Sequence, residues 1–351
     1  MTTPLLIYGA TGYTGRLIVA EAVQRGLRPI LSGRSAAAVR ALAEEHGLEA
    51  RPASLDDPAA LGRALEGVRA VLHCAGPFLH AVGPMLEACL AAGAHYLDIT
   101  GEIAVFERLA REDARAKARG IVLLPGVGFD VVPTDCLASH LHRRLPGATS
   151  LELAFSGGTG PSHGTAATVI EGLGQGGAIR RGGRIVPVPT AWRVREVAFR
   201  DKPRPCVSIP WGDVSTAYHS TGIPDIVTYM ATSPAGLRSM RLMRLAEPVL
   251  RLRAVKRFLL ARLKQRPAGP DAEALARTKS QVWGEARDAG GAVVAARLTA
   301  PNGYALTAIA SVRAAERLLA GGVAAGFQTP SRAFGADFIL EIPGSVREDV
   351  T

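Results

Sequence analysis

The sequence predicts an α/β protein: a doubly wound parallel sheet at the N-terminus, followed by a second domain of α+β type. Three observations predict it. Leu5, Leu6, Ile7 and Tyr8 form a short apolar run that fits a buried parallel strand. Gly9, Gly12 and Gly15 follow it at three-residue spacing, and residues 16–24 continue with helical periodicity. Apolar runs and helical stretches then alternate up to residue 124, after which the texture changes to shorter alternating segments and turns.

Strand, glycine-rich turn and helix together make a Rossmann-type dinucleotide site. Gly9 allows the sharp exit from the strand, Gly12 lets backbone approach a pyrophosphate, and Gly15 lets the helix pack on the strand. The free N–H groups and positive end of that helix then face the phosphates. Thr11, Tyr13 and Thr14 share the turn, the threonines as hydroxyl donors. Three glycines alone could mark a bare structural turn, but the position between strand and helix favours a bound nicotinamide dinucleotide.

The next apolar run, through Ile30 and Leu31, is the second strand. An NAD-selective site places an acidic residue at its exit to hold the ribose 2′-hydroxyl. This chain has Ser32 and Arg34 there. An Arg pairs with a 2′-phosphate and stacks on adenine, so NADP is favoured, with NAD as the alternative. Residues 36–45 read as a helix and 49–54 as a third strand. Asp56 and Asp57 precede a further helix as candidate caps, and Asp56 could also accept from the adenine amino group. Residues 70–75 are a fourth strand, and Ala75, Gly76 and Pro77 form its exit, where backbone can meet the cofactor. His73 reads as a core histidine and His80 as a weak catalytic candidate. Residues 84–93 form a helix and 95–99 a fifth strand. That strand ends in Tyr96, Asp98 and Glu102, polar groups at a strand end where a nicotinamide ring should lie. Asp98 and Glu102 read equally well as a cap and a first-turn carboxylate. A helix over 104–119 and a sixth strand over 121–124 complete the sheet. Asp130 and Asp135 lie in the Gly- and Pro-rich segment that leaves it, Asp135 also being a possible cap for a helix over 136–144.

In the second half, 150–156 reads as a strand, 157–165 as a loop carrying His163, and 166–173 as a helix. Further strands run through 185–188 and 207–209. Residues 292–299 and 304–310 flank Pro301-Asn302-Gly303 as an expected hairpin. Helices over 312–319 and near 331–340 close the chain. The domain reading is 1–130 for dinucleotide binding, 131–325 for an α+β substrate or dimerisation domain, and 326–351 for a helix returning to the first domain.

Composition narrows the class. The chain has 351 residues, and its 48% hydrophobic content supports large cores. Cys74, Cys89, Cys136 and Cys206 show no paired or metal-ligand spacing and read as buried thiols, with no metal site. The start lacks a signal peptide's basic and apolar regions, and no apolar run reaches the ~20 residues of a membrane span, so a cytoplasmic location is expected. The net charge is +10, yet residues 233–267 hold ten cations against the single acid Glu247. Leucines and methionines accompany Arg238, Arg241, Arg244, Arg251, Arg253, Lys256, Arg257, Arg262, Lys264 and Arg266. This segment (234–266) is either a solvated helical hairpin, a peripheral contact with an anionic membrane, or a dock for an acyl carrier protein. Nucleic acid is not expected, because no aromatic platform or recognised module accompanies the charge.

Four blocks resemble the saccharopine dehydrogenase-like oxidoreductases, especially the branch of trans-acting enoyl reductases: Gly-Ala-Thr-Gly-Tyr-Thr-Gly at 9–15, Ala-Gly-Pro-Phe at 75–78, Tyr-Leu-Asp-Ile-Thr-Gly-Glu at 96–102 and Gly-Phe-Asp-Val-Val-Pro-Thr-Asp at 128–135. Segments 220–224 and 329–335 echo it more faintly. The resemblance implies a Rossmann domain, an inserted α/β domain, a C-terminal helix returning to the first, and NAD(P)-linked redox chemistry on an enoyl (C=C) or imine (C=N) bond. None of the six tyrosines has a lysine four residues on, so the Tyr-x-x-x-Lys route of short-chain dehydrogenases is absent. Reduction needs a hydride and a proton donor, and Tyr96, Asp98, Glu102 and Asp130 are the foremost candidates, ahead of His80 and His163. The alternative is a dinucleotide-binding protein whose catalysis has decayed and whose surface serves association. A homodimer is compatible with the expected antiparallel sheet.

Overall fold

A computed structural model describes residues 4–157, 160–263, 265 and 267–350. Lys264 and Arg266 of the basic run, and Gly158 and Thr159 of the expected loop, lie outside the described residues. The chain forms two compact units: one runs to Asp130 and includes Tyr304–Ala333, and the other comprises Val131–Gly303 and the residues from Phe334 on.

The first unit opens with β1 (Leu5–Tyr8), α1 (Tyr13–Gln24), β2 (Ile30–Ser32), α2 (Ala36–His46), α3 (Pro58–Ala64) and β3 (Ala70–His73). It continues with α4 (Phe78–Ala92), β4 (His95–Asp98), α5 (Ile103–Arg111), α6 (Asp113–Arg119) and β5 (Val122–Leu124). Every ladder in its sheet is parallel. β1 is central, with β2 on one side and β3, β4 and β5 in turn on the other. The order therefore reverses at β1, and a crevice opens there beyond the carboxyl ends of β1 and β3. All of β1 is buried, and Leu6, Tyr8, Val71, Tyr96 and Leu123 share one core cluster with residues of α4.

The expected third strand at 49–54 does not form. Glu49, Arg51 and Ala53 exchange backbone hydrogen bonds with Leu31 and Gly33, but only Ala50 makes a bridge to the sheet. Pro52 has no N–H to extend the ladder. The expected helix over 104–119 is two, broken at Glu112, where φ −89° and ψ 5° end the first.

The second unit contains α7 (Val132–Arg144), β6 (Ala148–Ser156), α8 (His163–Gly172), β7 (Gly177–Arg181), β8 (Arg184–Val188), β9 (Val194–Ala198) and β10 (Pro203–Ser208). Then come α9 (Asp213–Thr221), β11 (Asp225–Ala231), α10 (Pro234–Leu245), α11 (Glu247–Leu250), α12 (Arg253–Leu263), α13 (Ala272–Arg277), β12 (Lys279–Asp288) and β13 (Val293–Pro301). These strands build a mixed sheet in which β6 and β11 pair in parallel and the other ladders are antiparallel. A second core cluster of Ala154, Val197, Cys206, Tyr229 and Trp283 lies within it.

The expected hairpin about Pro301-Asn302-Gly303 is replaced. β13 pairs with β12 instead, and the chain enters α14 (Gly303–Ala320) at once. Leu306, Ala310, Ala314 and Leu318 bury one stripe of that helix, a period of three to four that outweighs the strand-like look of 304–310. After α14 come β14 (Gly326–Phe327), which adds the sixth parallel strand beside β5, and α15 (Pro330–Phe334). The returning segment is thus 304–333, not 326–351. From Phe334 the chain rejoins the second unit, ending in a 3-10 turn (Phe338–Glu341) and β15 (Val346–Asp349), which pairs with β13. The helix expected near 331–340 is interrupted at Gly335, whose φ of +87° a right-handed helix does not accommodate. Ser162 caps α8 through the Thr165 N–H, starting that helix three residues earlier than expected. Cys89, Cys136 and Cys206 are buried, whereas Cys74 is only half-buried.

Candidate functional site

The turn after β1 is built by backbone at contact distance. Gly9 has φ +79°, and a Cβ there would lie 2.8 Å from the Ala75 backbone nitrogen at the exit of β3. A Cβ on Gly15 would overlap the Gly9 carbonyl oxygen outright. The Gly9 and Ala10 N–H groups both donate to the Ser32 carbonyl, tying the turn to the end of β2. Gly12 is the N-cap of α1 and brings no side chain to satisfy its first turn. A bare helix N-terminus in a switch-point crevice suits a pyrophosphate, which these N–H groups and the helix dipole would hold. Thr11 and Thr14 stand in the same turn, and the Tyr13 ring packs edge-on against Tyr304, centroids 5.2 Å apart. Ala75, Gly76 and Pro77 form the opposite lip, each at least partly open to solvent.

The groups expected at the ribose and adenine separate into committed and uncommitted ones. Ser32 is buried and its hydroxyl donates to the Arg51 carbonyl at 2.7 Å, so its part is to hold the β2 exit rather than to meet a phosphate. Arg34 is exposed just beyond it, and among the described residues no ion pair engages it. Asp57 is the cap of α3, accepting from the Ala60 N–H at 2.9 Å, while Asp56 stays exposed beside Ser54.

Sorting of the same kind occurs at the ends of β4 and β5. Tyr96 and Asp98 are two residues apart, so they share one face of β4. Tyr96 is wholly buried in the core, and its hydroxyl donates to Asp98 Oδ2 at 2.7 Å. Asp98 Oδ1 accepts from the Thr100 and Gly126 N–H groups at 3.0 and 2.9 Å. Burial pushes the Asp98 carboxyl up to about 6, against the opposing pull of those donors, and pushes the Tyr96 phenol well above its usual value. Glu102 accepts from the Phe78 and Leu79 N–H groups at 2.9 Å each, capping α4 where Pro77 offers no side-chain cap. These three residues are thus fasteners between loops, not open acids.

Asp130 differs. It is half-buried, packs over Gly101, where a Cβ would meet Asp130 Oδ2 at 2.7 Å, and among the described residues no hydrogen bond or ion pair engages its carboxyl. Desolvation raises that carboxyl to about 7. Asp135 is instead buried in the first turn of α7, accepting from Ser220 Oγ. His80 is exposed on α4, and His163 opens α8 in the second unit. His73 is a core residue, as read, but both its ring nitrogens lack partners, and burial lowers it to about 3.

Residue-by-residue reading missed two supports. Gly126, with φ +72°, donates to Asp98, and its Pro-Gly position after a strand was the available signal. Thr307 Oγ1 accepts from the Phe129 N–H at 2.9 Å, fixing the loop that carries Asp130 from 178 residues away. No local signal marks that partner.

Residues 5–124 match the saccharopine dehydrogenase NADP binding domain. The mouse saccharopine dehydrogenase-like oxidoreductase is 25% identical over 203 residues, covering 50% of this chain and 47% of that protein. The trans-acting enoyl reductase of Mycobacterium ulcerans is 32% identical over 159 residues, covering 43% and 38%. The chain thus spans about half or less of the length of the curated relatives it matches. Among solved structures, the apo saccharopine dehydrogenase (L-Glu forming) of Saccharomyces cerevisiae superposes with a TM-score of 0.64 over 99% of both chains at 12% identity, a likeness of fold. Residues 5–124 are an NAD(P)-binding domain, and the glycine turn fits that cofactor.

Proposed function

We propose that this chain is an NAD(P)-binding oxidoreductase akin to the saccharopine dehydrogenase-like proteins it resembles, and that it reduces a C=C (enoyl) or C=N (imine) bond with NADPH. The bound cofactor supplies a hydride. The chain's own residues supply the rest. Gly9, Gly12 and Gly15 admit the pyrophosphate to backbone N–H groups, and Arg34 meets the 2′-phosphate that distinguishes NADPH from NADH.

The observation that carries the catalytic half is the uncommitted carboxyl of Asp130. Tyr96, Asp98 and Glu102 are spent on fastening the strand exits, whereas Asp130 stands at the same edge with a carboxyl raised to about 7. Near neutral pH a group of that value is protonated often enough to donate and ionised often enough to be recharged. It delivers the proton to the atom that gains negative charge, or as carboxylate holds the charge of an iminium.

Titration with NADPH and NADH, followed by a screen of enoyl thioesters and imines for NADPH oxidation, tests this. Arg34→Ala should weaken NADPH binding about 10- to 100-fold and leave NADH nearly unchanged. Asp130→Asn should bind NADPH normally and lose about 100-fold or more in turnover, together with the limb of the pH profile near 7. Tight NADPH binding without turnover on any such compound would support the association protein instead.

A further inference from the structure

We propose that the helical segment α10–α12 of the second unit is a docking surface for an anionic phospholipid bilayer. The proposal stands apart from the reductase reading. No residue of the three helices is buried, although the segment is rich in leucine and methionine. One stripe, including Leu237, Met240 and Met243, is half-buried, as are Val255, Leu259 and Leu263 on α12. Contacts with α8 seat the segment, helped by Arg251 Nε donating to the Gly174 carbonyl and the Lys256 ammonium donating to the Glu171 carbonyl.

Further apolar side chains of the segment point away from that contact, and among the described residues nothing covers them. Leu242 and Leu245 stand one turn apart on α10, Val249 follows on α11, and Leu252 lies between α11 and α12. Leu245 is 83% exposed and Leu242 66%, with Val249 and Leu252 each more than half exposed. Phe258 adds a fifth exposed apolar group on α12, with the Arg262 guanidinium 5.6 Å over its ring. Isolated exposed leucines need no explanation, but a group of exposed apolar side chains close together in the chain beside a charge cluster does.

The charge identifies the occupant. Residues 234–263 hold eight cations and one acid, Glu247. That acid pairs with Arg251 at 3.9 Å and also accepts from Thr190 Oγ1, so the other cations have no acid within the segment to neutralise them. Exposed aliphatic side chains with guanidinium groups among them suit a fluid layer of acyl chains under phosphate headgroups. That layer accepts both without a fixed register. An acidic protein would instead have to match this surface with carboxylates in one arrangement.

The full chain is sedimented with vesicles of phosphatidylcholine alone and with vesicles containing roughly one-third phosphatidylglycerol. Binding is expected only with the anionic vesicles, and it should fall steeply as salt rises from about 0.05 to about 0.5 M. The quadruple variant R241Q/R244Q/R257Q/R262Q should lose binding several-hundredfold, at roughly fivefold per cation. Leu242→Ser with Leu245→Ser should lose about tenfold or more. NADPH binding and thermal unfolding of both variants should match wild type, because these side chains face solvent. No sedimentation of wild type with anionic vesicles would overturn the proposal, as would equal binding to both vesicle types. Light scattering that shows a dimer split by the leucine variant, with vesicle binding unmoved, would overturn it in favour of a second copy of the chain.

Discussion

The glycine turn at 9–15 and the basic segment at 234–263 are built on opposite plans. In the first, backbone meets backbone so closely that a single methyl group at Gly15 has no room, and what the turn offers a ligand is backbone N–H groups. In the second, no residue is buried and the surface consists of long side chains. A site made of close-packed backbone tolerates almost no substitution, whereas a surface made of exposed side chains can be rewritten without disturbing the fold. Stability and binding should therefore uncouple in the second region and move together in the first.

The sharpest break of that contrast is Gly15→Ala. It should cost about 3 kcal/mol of stability, the upper range for overpacking, and abolish dinucleotide binding in the same titration. If the variant melts and binds like wild type, the turn is looser than its geometry shows. Asp98→Ala should cost about 2–4 kcal/mol in urea unfolding, because two buried N–H groups and the Tyr96 hydroxyl lose their acceptor. An effect below about 0.5 kcal/mol would mean that water replaces the carboxylate there.

Asp130 gives a pH-dependent test. Its folded value of about 7 lies above the ordinary carboxyl value of 3.8, so between those values the native state binds more protons than the unfolded chain. Its contribution to stability is therefore full below pH 4 and is lost as pH rises towards 7. Asp130→Asn, compared with wild type by thermal unfolding across that window, should equal it near pH 4 and exceed it by a few kcal/mol, at most about 4, at pH 8. Parallel curves would show that the carboxyl is solvated and sink its assignment as proton donor. The smallest effect is expected at the far end of the comparison. Leu242→Ser with Leu245→Ser should change unfolding by less than about 0.5 kcal/mol, and a larger loss would mean that these side chains are packed against something in the free protein.

Legibility in the sequence followed the same division. The strand, glycine turn and helix could be read residue by residue, because their contacts lie within a few positions of one another. The fate of the polar groups at the strand ends could not. Asp98 and Glu102 read equally as acids or caps until the fold brought Gly126 to one, 28 residues on, and Phe78 to the other, 24 residues back. The strand at 49–54 and the hairpin at 301–303 failed for related reasons: Pro52 lacks a donor, and the helical period of 304–318 outweighed a turn signal.

By itself the sequence determined the strand, glycine turn and helix at 5–24, the parallel α/β half and the concentration of charge in one segment. Each is set by residue type at fixed spacing, and backbone geometry converts spacing directly into position. Only the tertiary structure decided which carboxyl stays uncommitted, that the sixth strand comes from Gly326–Phe327, and that several apolar side chains of the basic segment are left exposed. Those outcomes depend on which distant segments meet, and pairing between distant segments leaves no periodic trace in the chain.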